Sequence, residues 1–204
     1  MTASGAISGL GNLTLADVGG TATFSANVAA AALSADSTVA NIAFTGGTNS
    51  FSGAASFSND GTLNLGNASG DTFAFNGGVT ESTTGTVTLA SAISSSDDAI
   101  SFGAVTLGAN TTIDTNATTT STADLTIGAV TGGSNTLTLT TENNIANADI
   151  TASGAISGVT TLTISNAGGT ATLSGDVDVT TLAVGNTVAN LAFTGNGSTI
   201  TNDI

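Results

Sequence analysis

Any chemistry in this chain must be done by carboxylates, amides and hydroxyls, because it contains no Lys, Arg, His, Cys or Tyr. Two pairs of acids stand close enough to suggest glycoside cleavage, Asp97/Asp98 and Asp176/Asp178. Two carboxylates flanking a glycosidic bond suffice to break it. Adjacent strand residues face opposite ways, so Asp97 and Asp98, within "SSSDD", read as a turn. Asp176 and Asp178 can share a face. The equivalent residues in the other copy of an internal repeat are Asn27 and Ala29, so this pair is not part of the repeating design. Both pairs read as solvated surface acids, and no enzyme is expected.

Calcium is the second chemistry, since hard cations take carboxylate and carbonyl oxygens. "SNDG" and "GNASGD" gather Asn59, Asp60, Asn67 and Asp71 in one short region. The second segment loosely resembles the calcium nonapeptide Gly-Gly-x-Gly-x-Asp, without its first Gly pair or its tandem repetition. A plain turn is the simpler reading. These four residues are the calcium candidates, and no other cofactor is implied. Threonine pairs offer a third chemistry: Thr21/Thr23, Thr86/Thr88, Thr136/Thr138/Thr140, Thr161/Thr163 and Thr170/Thr172. A flat threonine rank can order water, as in ice binding. The pairs lack a common step along the sequence, so strand propensity explains them more simply.

The composition narrows the partners. Charged residues make up 7% of the chain, against about 25% in ordinary domains. All are acidic, and the net charge is −14. Phosphate backbones need Lys or Arg to neutralise them, so nucleic acid is excluded. Side-chain salt bridges are excluded too, leaving apolar packing and backbone hydrogen bonds as the source of stability. The most apolar stretch, 28–33, is far shorter than the roughly 20 residues of a membrane span. Met1-Thr2-Ala3 lacks the basic start and apolar run of a signal peptide. It reads as the start of an excised segment.

The elements that carry these residues are set by repetition. "TASGAISG" occurs at 2–9 and again at 151–158. Residues 2–51 overlie residues 151–200 without a gap, and 26 of the 50 positions are identical. The expected organisation is therefore a 149-residue unit over 1–150, with 151–204 beginning a second copy in the same rod. Within the unit, apolar-x-apolar triplets recur, such as Leu13/Leu15, Ile42/Phe44, Leu63/Leu65, Val87/Leu89 and Leu162/Ile164. Alternation places both large side chains on one face. Gly, Asn and Asp clusters between triplets are turn signals. Leu13 to Leu33, Val105 to Leu125 and Leu162 to Leu182 are each 20 residues apart. This spacing predicts an all-β fold, a parallel β-solenoid with coils of about 20 residues, each burying its neighbour's apolar face.

The segments "NLTL", "GTLNLGN", "GTVTLAS", "GAVTLGAN" and "TTLTISN" give the chain a likeness to the bacterial β-strand-repeat adhesins. It resembles filamentous-haemagglutinin-like exoproteins and autotransporter passenger domains across its whole length, by composition and period. The resemblance implies a right-handed β-helix, secreted to the bacterial cell surface, serving as an adhesin stalk, extracellular fibre or envelope layer. It carries over no catalytic residue. The expected partners are further copies stacked end to end or a longer array, with cell-surface or glycan contact as the adhesive role. A glycan- or calcium-binding module is the alternative, and ice binding the third.

Overall fold

A computed structural model describes residues 1–119, 122–142 and 145–202. The chain winds as a parallel β-solenoid, and every strand pairing among these residues is parallel. The expected fold class, with coils of about 20 residues, is what the chain adopts.

Three stacks of strands form three faces. Face one runs through Thr21–Phe24, Asn41–Phe44, Leu63–Leu65, Val87–Leu89, Val105–Leu107 and Val130–Thr131. Face two runs through Thr48–Phe51, Thr72–Phe75, Ala92–Ser94, Thr111–Asp114 and Thr136–Thr140. Face three runs through Ala55–Phe57, Val79–Glu81, Ile100–Phe102, Leu125–Ile127 and Ile150–Ala152. Toward the ends the strands lengthen and cross corners. Ile156–Leu173 pairs with all three faces of the turn before it.

The triplets explain the faces. In each, the outer two residues point inward and the middle one outward. Ile42 and Phe44 are fully buried and Ala43 half-buried; Leu63 and Leu65 flank Asn64 in the same way. Stacked partners stand from 18 residues apart (Val87 and Val105) to 26 (Val130 and Ile156). One spacing read from the sequence is corrected here. Val105 and Leu125 do not stack: Val105 pairs with Val130 on face one, and Leu125 with Ile100 on face three. Turn length varies because corners absorb insertions while the strands keep their register.

Phenylalanines tie several turns together. Phe24 and Phe44 stack with ring centroids 4.6 Å apart, Phe51 and Phe75 with centroids 5.4 Å apart, and Phe73 meets Phe44 edge-on at 5.8 Å. Such pairs add roughly 0.5–1.5 kcal/mol beyond burial.

Corners bring backbone against backbone, and glycine permits it. A Cβ on Gly154 would lie 2.6 Å from the Ala129 nitrogen and 2.7 Å from its Cα. Gly5 holds the same place in the first copy of "TASGAISG" and has nothing within 4 Å of its missing Cβ. The identical word therefore has different tolerances. Gly154→Ala is expected to cost about 1–3 kcal/mol through overpacking, while Gly5→Ala stays close to wild type. Thermal melts of the two variants check this, and an equal loss in both would contradict the stacking.

Candidate functional site

Among the shallow grooves of the described surface, two have volumes of about 480 Å³ and 420 Å³. The first is lined by residues 158–160, 178–180, 199 and 201, with Ser134. The second is lined by 9–11, 29–31, 50 and 52, with Asn76. Apart from Ser134 and Asn76, one set is the other displaced by the 149-residue repeat. The two grooves are one feature built twice.

A glycine makes it. Gly9 has φ 68° and Gly158 φ 67°, a left-handed conformation that disfavours any residue with a Cβ. At both places the strand pairing slips, between Ile7 and Leu10 and between Ser157 and Val159. The extra backbone of such a bulge bends the strand, and the groove lies along the bend. The lining chemistry differs between copies. Thr160, Thr180, Thr199, Thr201 and Asp178 furnish the later groove, where Gly11, Ala31, Ser50, Ser52 and Ala29 stand in the earlier one. Hydroxyls and one carboxylate can exchange hydrogen bonds with a neutral hydroxylated ligand. Neither groove contains a cation to hold an anion.

The four calcium candidates lie in two successive turns, on either side of Leu63–Leu65. Asn59 is fully buried. Its Nδ2 donates to the carbonyls of Gly61 (3.3 Å) and Thr62 (3.1 Å), and its Oδ1 accepts from Thr83 Oγ1 (3.1 Å). Asp60 Oδ1 accepts from Thr84 Oγ1 at 2.9 Å. Asp71 Oδ2 accepts the N–H groups of Asn67 (2.8 Å) and Ala68 (3.2 Å), closing the turn that contains Asn67. Three of these side chains thus work within the protein. Among the described residues, no three acids gather in one place.

One acid of each pair finds an internal partner. Asp97 accepts from the N–H groups of Thr118 (2.9 Å) and Thr119 (3.0 Å), one turn on, and from Thr119 Oγ1. Asp176 Oδ1 accepts from Gly197 N–H at 2.8 Å, and Asp178 points outward into the later groove. Corner residues repeat this pattern along the rod. Asn27 accepts from Thr48, Asn41 from Thr62, Asn110 from Thr136, Asp124 from Asp149 and Asp149 from Thr170, each through a backbone N–H one turn further on.

Several buried polar residues, Asn49 and Glu81 among them, carry no signal in the motifs above. Asn49 and Glu81 occupy inward positions of their strands and are almost wholly buried. Glu81 lies in register between Phe57 and Phe102. Its Oε2 accepts from Gly103 N–H at 2.9 Å, and Oε1 from Thr83 N–H. Asn49 Oδ1 accepts from Val28 N–H at 3.1 Å while Nδ2 donates to the Gly46 carbonyl at 2.8 Å. The signal was their phase: each stands where its triplet calls for an apolar residue.

The threonine pairs scatter over all three faces. Thr21/Thr23 lie on face one, Thr136/Thr138 and Thr161/Thr163 on face two, and Thr170/Thr172 lead onto face three. A different hydroxyl array emerges from the register. On face three the outward positions of eight successive turns are Thr14, Ser34, Ser56, Thr80, Ser101, Thr126, Thr151 and Thr172. Sequence spacing hid this ladder because the turns differ in length.

No protein-family model, curated protein or solved structure matches the chain. Among the described residues no helix is long and apolar enough to cross a membrane.

Two predictions follow from the polar contacts. Asn59→Asp removes two donors and sets a carboxylate against two carbonyls. It is expected to cost about 1–3 kcal/mol, and a chelator to leave the wild-type melt unchanged. A midpoint that falls on chelation would make calcium a structural ligand. Burial raises the Asp114 carboxyl above its ordinary value, helped by the Glu142 charge and opposed by the Asn116 N–H. The folded state therefore loses stability as pH climbs through that raised value and regains it below the ordinary value near about 3.9. Asp114→Asn is expected to melt higher than wild type at pH 7, with the gap closing in acid. Melts across pH measure the gap.

Proposed function

We propose that the chain is a structural rod, a segment of a large secreted bacterial surface protein that adds length by stacking end to end or by continuing into further repeats. It acts without catalysis, as an adhesin stalk, fibre or envelope layer. One observation carries this reading. The inward positions of the last turn remain uncovered: Val184 is 40% exposed and Phe193 42%, where Ile164 and Leu173, one turn earlier in the same columns, are 0%. In interior turns the next winding of the same chain covers these positions. The occupant that fits is therefore another turn of this kind, from a further repeat or from a second copy. The open strand edge offers unpaired N–H and C=O groups to the same partner. The absence of cations suits such an exterior, since neither anionic lipid nor nucleic acid is attracted to it.

A second reading takes the rod as a glycan-binding module. The hydroxyls and Asp178 of the later groove favour it, as groups able to bond a neutral saccharide. Retention on an immobilised polysaccharide, lost in Asp178→Ala, would move the function from scaffold to recognition.

The rod reading is tested by assembly. Sedimentation and negative-stain images are expected to show filaments lengthening with concentration. Val184→Glu combined with Phe193→Glu is expected to hold the chain as single short particles at an unchanged melting temperature. A wild-type chain that stays as single particles at every concentration would remove the end-to-end contact.

A further inference from the structure

We infer that the 149-residue unit winds a non-integral number of turns, six and two-thirds, so that equivalent grooves of successive units open on different sides of the rod. The strand register carries this. Thr2–Ala3 belongs to face one, because Thr2 pairs with Thr23. The face-one strands that follow start at Thr21, Asn41, Leu63, Val87, Val105 and Val130, which opens the seventh turn. Thr151, the repeat-equivalent of Thr2, lies in that seventh turn on face three, paired with Thr126. From Thr2 to Thr151 the chain has thus completed six turns and passed two further faces.

Other equivalent pairs shift in the same sense. Leu13 lies on face three, paired with Leu33, while Leu162 lies on face two, paired with Leu137. Phe44 pairs with Leu65 on face one, and Phe193 with Leu173 on face three. The earlier groove follows face two, where Ala29 pairs with Ser50. The later groove follows face one, where Ser157 pairs with Asp178. Local stacking is conserved through the change: Thr2 on Thr23 becomes Thr151 on Thr172, and Ile7 on Val28 becomes Ile156 on Val177. The unit keeps its internal contacts and turns as a body by one face.

At about 4.8 Å per turn, one unit advances roughly 32 Å, and three units restore the original face after roughly 96 Å. The extension to three units rests on the reading of the chain as part of a longer array; the phase within this chain does not. Such a rod presents its grooves to partners on three sides. A flat surface laid along it meets one groove in three.

Engineered disulfides test the phase, and the chain offers a background free of cysteine. A disulfide needs Cα atoms about 4.4–6.8 Å apart, which stacked outward positions satisfy. Thr131 and Ser157 are such a pair on face one, both exposed. If the unit wound whole turns, Thr151 would return to the column of Thr2, and Thr131 would stack beneath Thr151 instead. The expected result is that Thr131→Cys with Ser157→Cys oxidises to an intramolecular disulfide, read as loss of both free thiols in the monomer. Thr131→Cys with Thr151→Cys is expected to keep its thiols under the same conditions. Bridging of the second pair, or of neither, overturns the inference. That result would leave the assembly experiment standing, so the two failures are separable.

Discussion

The parallel hydrogen-bond ladder between turns constrains everything else in this molecule. Strand residues of the interior turns have partners directly above and below at about 4.8 Å, and whatever occupies a position must tolerate its column neighbours at that distance. Like charges stacked so closely repel. Large side chains are confined to the narrow interior, and corners admit a Cβ only where the previous corner leaves room. An alphabet of Ala, Gly, Ser, Thr, Asn and small aliphatics satisfies these demands. The missing cations become intelligible in that light. The acids have no opposite charges to find, yet several are held by peptide N–H groups of the next turn, as Asp149 is by Thr170 and Asp176 by Gly197. A carboxylate accepting such bonds needs no ammonium partner. Acids and amides thus act as fasteners between turns.

The same constraint separates scaffold from surface. Inward columns are largely apolar, and where they are not, as at Asn49 and Glu81, the polar atoms turn back to the backbone of neighbouring turns. Outward columns carry hydroxyls, which hydrate without repelling one another. Among the described residues, the face-three ladder from Thr14 to Thr172 is the longest such run.

Much of the fold was legible from the sequence because alternation and turn residues report local geometry. The triplets from Ile42/Phe44 to Leu162/Ile164 show which residues point inward, and stacking follows wherever turns are of similar length. Register over uneven turns was not legible. Val105 and Leu125 have the spacing of stacked partners and sit on different faces, because the corner between Thr111–Asp114 and Leu125–Ile127 is long. The face-three ladder was hidden for the same reason. The grooves were missed because a bulge depends on the φ of one glycine among 27, and nothing in the letters distinguishes Gly9 from Gly5. The calcium candidates were located by letter alone. The letters do not show that Asn59 bonds both its own corner and Thr83 of the next turn, or that Asp71 Oδ2 closes the corner at Asn67.

That one strand word serves on different faces has a bearing on how such a chain grows. "GGTAT" leads onto face one at residues 19–23 and onto face three at 168–172, and its last threonine keeps equivalent ladder partners in both places, Thr23 between Thr2 and Ala43 and Thr172 between Thr151 and Ala192. The interior does not distinguish its sides. The increment that this sequence repeats, 149 residues, is six windings and two further faces, so such a rod lengthens without preserving whole windings.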